Sequence, residues 1–178
     1  KKNDLVLSVD NYVPSSYTAF YNRKEQANYA DYIIIMGYDE HDRTSGDPGS
    51  TASINFVADA VSGTLEEVPA EQIILGMPFY SRVWCEENGS VSCKTMYMKD
   101  VSAWIEEHNV EVTWDDYLGQ NYGEYTDGNK KYMLWIEDAA SLSKKLEVMN
   151  SNSLAGGAFW KLSIEPYSIW DVIKDAVQ

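Results

Sequence analysis

Short apolar, β-branched runs alternating with helix-compatible stretches predict an α/β fold for this sequence. Three features carry that expectation. The runs are apolar at consecutive positions, as strands of a parallel sheet are; amphipathic segments follow them; and about four such βα units occur in order, half of the eight that close a TIM-type barrel. Nearly 80 residues separate the third run from the fourth, far more than one crossover needs, which predicts a small inserted α+β lobe.

The first strand is expected over 5–9, Leu5-Val6-Leu7-Ser8-Val9, with a helix over about 17–29. The second, over 32–38, is apolar on both faces and runs into a loop rich in Asp, Gly and Pro. A helix over 52–66 follows, because Ile54, Val57, Ala58, Val61 and Leu65 fall on one stripe at spacings of three and four. The third strand is expected over 73–79 and the fourth over 157–162, with a closing helix over 168–177. Inside the insertion the pattern suits a helix over 98–108, a strand over 110–114 and a hairpin over 122–137 turning at Asp127-Gly128-Asn129. Leu142, Leu146 and Met149 then mark a crossover helix over 139–150. The organisation expected is βα units over 1–80, the insertion lobe over 81–137, and the last crossover helix, strand and terminal helix over 138–178. Such a sheet would have two open edges, which invite pairing with another chain, so self-association is expected.

Composition narrows the function. A 178-residue chain that is 44% hydrophobic and 13% aromatic can bury a core. Its formal charge of -14 would repel phosphate backbones and anionic lipid, so neither nucleic acid nor membrane is an expected partner. No apolar run reaches the roughly 20 residues of a membrane-spanning helix. The first residue is not Met, and the sequence is expected to belong to something longer. Cys85 and Cys93, the only cysteines, bracket a polar, Gly-containing loop. They either close a small hairpin as a disulfide or remain free thiols. Two cysteines and the distant His41 and His108 make no recognised ligand spacing, so no metal and no cofactor are expected.

Residues at the C-terminal ends of barrel strands are the first place to look for chemistry. The second strand ends in Met36-Gly37-Tyr38-Asp39-Glu40-His41, the third runs into Tyr80-Ser81-Arg82, and the fourth carries Trp160. Aromatic faces that stack on pyranose rings, beside carboxylates and a guanidinium that bond hydroxyls, suit a sugar site. Duller roles stand beside this one. Tyr38 and Trp160 could fill the core, Asp39 could cap a turn, Arg82 could pair with a nearby acid, and His41 and Glu165 could be surface groups.

Three segments, in register, resemble family 18 glycoside hydrolases. The stretch from Tyr29 to His41, ending in Met36-Gly37-Tyr38-Asp39, resembles their sixth strand. Ile74-Leu75-Gly76-Met77-Pro78-Phe79-Tyr80-Ser81-Arg82 resembles the seventh, after which an insertion follows, and Leu154-Ala155-Gly156-Gly157-Ala158-Phe159-Trp160-Lys161-Leu162 resembles the eighth. The resemblance covers nearly the whole chain and implies the C-terminal half of the barrel, partnered by an N-terminal half. It implies substrate-assisted hydrolysis of N-acetylamino-sugar polymers, in which the substrate's own acetamido oxygen attacks the anomeric carbon. On that basis Tyr38 and Asp39 would be catalytic, and Met36, Tyr80, Arg82 and Trp160 would bind substrate. Trp160 would be the floor beneath the sugar at the cleaved bond. The closest likeness is to the spore-cortex and cell-wall branch, which implies secretion to the wall or spore surface of a bacterium.

One departure is large. The family's Asp-x-x-Asp-x-Asp-x-Glu motif, which holds the general acid on the fourth strand, occurs nowhere in this sequence, and Asp115-Asp116 cannot replace it. Three functions follow: half of a hydrolase inactive on its own, a lectin-like sugar-binding module, or a structural lobe that binds a partner.

Overall fold

The computed structural model describes residues 4–177. Four parallel strands form one sheet: β1 (Ser8–Tyr12), β2 (Tyr32–Met36), β3 (Ile73–Pro78) and β9 (Gly156–Trp160), in that spatial order. The chain is thus an α/β fold with an open sheet whose edges are β1 and β9. Helices α2 (Ile54–Leu65), α4 (Ala139–Ser151) and α5 (Ile169–Ala176) carry the side chains that bury the outer face of the sheet. Ile33, Ile35, Leu75 and Met77 point into that layer and are fully buried. The opposite face, lined by Asp10, Ile34, Met36 and Tyr38, borders an open cavity. The second strand is therefore buried on one face and only half-buried on the other.

Two expectations along this half of the chain need correction. The first strand begins at Ser8 and extends to Tyr12, whereas Leu5, Val6 and Leu7 are 72%, 73% and 52% exposed. A strand's limits are set by the partner it pairs with, here Tyr32 to Met36, rather than by where its own sequence is most apolar. The helix expected over 17–29 shrinks to α1 (Arg23–Gln26) and a single 3-10 turn, Ala19–Tyr21, separated by Asn22 in the left-handed conformation at φ 44°. Tyr17, Phe20 and Tyr29 offer no buried stripe to hold a longer helix. Arg23 anchors the segment instead: its Nη2 donates to the Tyr12 carbonyl at 2.8 Å and its Nη1 to Glu67 at 3.2 Å.

Helix α2 starts where Ser53 Oγ accepts from Phe56 N. Its buried set is Val57, Ala60, Val61 and Thr64, so the expected stripe is rotated, with Ile54, Ala58 and Leu65 at its margin. Helix α4 starts at a reciprocal cap between Asp138 and Ser141 and buries Leu142, Leu146 and Met149 as the spacing predicts. Close backbone approach explains one glycine. A Cβ on Gly37 would sit 2.9 Å from the Gly76 carbonyl oxygen, whose backbone cannot give way. Gly37→Ala is expected to destabilise by about 1–3 kcal/mol in urea denaturation, through forced separation of β2 and β3.

The insertion is a five-stranded antiparallel sheet in the order β5 (Ser90–Tyr97), β4 (Tyr80–Glu87), β8 (Lys130–Ile136), β7 (Gln120–Asp127) and β6 (Glu111–Asp115). Helix α3 (Val101–His108) covers one face, packing Val101 and Trp104 on Leu134 and Ile136. A fully buried polar network ties the antiparallel sheet to helix α4 and to the loop before α2. Glu137 accepts from Gln120 Nε2 at 2.7 Å, and from Ser141 Oγ and Lys145 Nζ at 2.9 Å each. Gln120 in turn accepts from Ser50 Oγ, and the Glu137 backbone N–H donates to Ser81 Oγ at 2.8 Å. Burial pushes the Glu137 carboxyl above its usual range, with the Lys145 ammonium pulling the other way.

Candidate functional site

The side chains singled out at the strand ends meet at one rim. Asp39 follows β2 with φ 62°, a left-handed backbone that Asp adopts more readily than most residues. Its Oδ1 accepts from the Tyr80 hydroxyl at 2.6 Å and from Arg82 Nη2 at 2.5 Å. Tyr80 and Arg82 lie two apart on β4, so strand alternation puts both on the face that looks toward Asp39. Burial raises the Tyr80 phenol far above its ordinary value, reinforced by Asp39, so it stays a donor at every working pH. Burial works against the Arg82 charge, but the hydrogen bond and charge of Asp39 outweigh it and hold the guanidinium protonated.

The Asp39 side chain is 36% exposed and that of Arg82 9%, so the pair is screened on one side only. Asp39→Ala leaves Arg82 without its acceptor. It is expected to cost about 1–2 kcal/mol by thermal or urea unfolding, with Asp39→Asn costing less because one oxygen remains.

Tyr38 points to the other side of the same rim, into a cavity of about 140 Å³ that Asp10, Met36 and Trp160 also line. Burial, then the charge of Asp10 and Asp39, pushes the Tyr38 phenol up to about 12. Beside it lies a wider cleft of about 540 Å³, whose wall includes Asp39, Tyr80, Arg82, Tyr97 and Lys161. Trp160 lines both cavities and is 57% exposed in this chain. All six residues expected at the site, Met36, Tyr38, Asp39, Tyr80, Arg82 and Trp160, thus border two adjoining cavities.

The remaining candidates are structural. Glu40 accepts from Ser53 N at 2.7 Å and Ser53 Oγ at 3.0 Å, holding the start of α2. The His41 ring lies against Gly49, where a Cβ would meet it at 2.4 Å. Glu165 accepts from Ile164 N and from Trp170 Nε1. His108 stacks on Tyr125 at 4.3 Å, far along the chain from the rim. Among the described residues no group of three or more His, Cys, Asp or Glu side chains is placed to hold a metal ion, and no helix is long and apolar enough to cross a membrane.

The hairpin expected around the cysteines forms from β4 and β5, but both thiols are free. Cys85 is opposite Ser92 and Cys93 opposite Trp84, a register of odd offset that sends the two sulfurs to opposite faces. Polar loops with a cysteine at each end do not specify that parity.

Sequence reasoning missed Asp10, and the cleft residues Asp42, Arg43, Thr44, Thr95, Tyr97 and Lys161. The alternation Ser8-x-Asp10-x-Tyr12 was a usable signal for Asp10, hidden by ending the first strand at Val9. Thr95 and Tyr97 carry no such signal, since they arrive through the pairing of β5 with β4.

Comparison with known proteins gives a consistent pattern. The model of the glycosyl hydrolases of family 18 matches residues 1–165. Over 155 residues the chain is 26% identical to glycosylase YvbX of Bacillus subtilis (strain 168), covering 86% of this chain and 44% of that protein. It is 25% identical over 148 residues to the cortical fragment-lytic enzyme of the same strain, covering 82% and 34%. A chitinase crystal structure from Chromobacterium violaceum ATCC 12472 superposes with a TM-score of 0.90 at 26% identity, over 99% of this chain and 56% of that one. The chain therefore spans less than half the length of these two relatives.

Proposed function

The chain belongs to the glycosyl hydrolases of family 18, and from that we propose that it forms the C-terminal half of a TIM-type (βα)8 barrel that hydrolyses β-linked N-acetylamino-sugar polymers, peptidoglycan or chitin. The observation that carries this reading is Trp160: a large, exposed aromatic face shared by two cavities, with the Tyr38 phenol on one side and the Asp39–Tyr80–Arg82 cluster on the other. An exposed indole flanked by oriented donors suits a pyranose ring. The names of similar proteins, a cortical fragment-lytic enzyme and a chitinase, support the same substrate class. They also support a location at the bacterial wall or spore surface.

In this reading the acetamido oxygen of the substrate attacks the anomeric carbon while the sugar rests on Trp160. Tyr38, protonated at neutral pH, donates to the acetamido group and holds it in line. Asp39, fixed by Tyr80 and Arg82, bonds the sugar just before the cleaved bond. The proton for the leaving oxygen comes from a carboxyl of the N-terminal half, and this chain alone is inactive. The faces and edges left open at β1 and β9 take that half, and two copies of the chain associate there in its absence.

Release of reducing ends from peptidoglycan and chitin oligosaccharides tests the reading, comparing this chain with a polypeptide extended upstream by four βα units. Activity confined to the extended protein is the expected result. An extended protein that folds and binds sugar but releases nothing would instead make it a lectin-like module. A clean monomer in size-exclusion chromatography at low and high concentration would remove self-association.

A further inference from the structure

The wide cleft inverts the charge balance of the chain. Overall 14 basic residues face 28 acidic ones, yet the cleft wall carries Arg43, Arg82 and Lys161 against only Asp39 and Asp42. Both acids are already engaged inside the protein. Asp39 Oδ1 is taken by Tyr80 and Arg82, and Asp42 Oδ1 accepts from the Thr44 backbone N–H and hydroxyl at 2.7 Å each. Arg43 and Lys161, by contrast, are exposed and make no side-chain ion pair or hydrogen bond among the described residues. Arg43 and Arg82 both line this cleft.

We propose that the cleft selects a glycan bearing a carboxylate, such as the lactyl-ether substituent of a muramic residue, over a neutral N-acetylglucosamine polymer, with Arg43 and Lys161 as the specificity-determining pair. The proposal rests on the carbohydrate reading above and narrows it to the acidic branch of that substrate class. Aromatic stacking on Trp160 serves a neutral and an acidic sugar equally, so within this chain's share of the site the free cations are what distinguishes them. Because both are solvent-exposed, their attraction for a carboxylate is moderate and screened by salt.

The test is calorimetric binding of two tetrasaccharides of equal length, neutral chitotetraose and a muramic-containing glycan, at low and high salt, to the full-length polypeptide with the general-acid carboxyl of its N-terminal half replaced by an amide so that neither glycan is cleaved. Wild-type protein is expected to bind the acidic glycan roughly tenfold more tightly, with the preference shrinking as salt rises. Arg43→Ala/Lys161→Ala is expected to bring the acidic glycan to the affinity of the neutral one, and melting curves check that the variant is folded. Equal affinity of the wild type for both glycans overturns the proposal and leaves the glycosidase reading standing. A preference that survives in the double variant overturns the assignment to this pair. Binding of neither glycan overturns both readings together.

Discussion

Tyr38→Phe is expected to lower turnover of the full-length polypeptide by about 100-fold while leaving its melting temperature within about 1 °C of wild type. The separation of the two effects follows from the surroundings of the phenol. Its ring rests against the Tyr80 ring edge at a centroid distance of 6.3 Å, and Phe keeps that packing. Its hydroxyl makes no hydrogen bond to another described residue and faces the cavity shared with Trp160, so the folded state loses nothing when it is removed. In the proposed mechanism the substrate loses an oriented donor at the group that attacks. Because the phenol is pushed up to about 12, it is protonated throughout the neutral range, and the wild-type rate should show no loss attributable to it below about pH 10. Initial rates of reducing-end release and a thermal melt on the same preparation measure both arms. Retention of activity within about threefold would remove Tyr38 from the mechanism.

Lys145→Met is expected to be the most damaging single change to stability, about 3–5 kcal/mol, or roughly 10 °C in melting temperature for a chain of this size. Lys145 and Glu137 are both 0% exposed, and removing the ammonium strands a carboxylate that water cannot reach. The pH dependence has a definite sign. Burial already raises the folded-state Glu137 carboxyl above its unfolded value, and without Lys145 nothing as strong opposes it. A folded state that holds its proton more tightly than the unfolded one gains stability at low pH and loses it as pH rises through the raised value. The deficit of the variant relative to wild type should therefore be smallest at acid pH and grow as pH rises above the ordinary carboxylate range, read by thermal melts across that range. The same deficit at every pH would mean that Glu137 does not titrate as its burial requires. Glu137→Gln in the Lys145→Met background should recover part of the loss, since the amide needs no counter-ion.

Much of the architecture was legible because its signals are local. The stripe Leu142, Leu146 and Met149 fell in the core at 0%, 1% and 3% exposure, and the hairpin turn at Gly128 and Asn129 formed between the strands where it was expected. The rim residues were legible for a related reason. A residue just past the end of a buried strand has little choice of place, so Tyr38, Asp39 and Trp160 could be located before any contact between them was known. Glu137, Gln120 and Lys145 were not legible as a unit. A Glu, a Gln and a Lys at 17- and 8-residue separations carry no pattern that distinguishes a buried network from three solvated side chains.

Taken by itself, the sequence determined the alternation of strand and helix, the buried stripe of α4, and which residues stand at the mouth of the sheet, while the caps at Ser53 and Asp138, though local, were not read from it. These depend on side-chain periodicity and on hydrogen bonds within three or four residues. Tertiary structure alone decided where β1 begins, on which faces Cys85 and Cys93 lie, and that Asp39 holds Tyr80 and Arg82 across 41 and 43 residues of chain. Each of those depends on strand register, and a shift of one residue would turn every side chain to the opposite face at no cost visible in the local sequence. Only the packed neighbours, through the burial they permit and the partners they supply, make one register lower in free energy than the next.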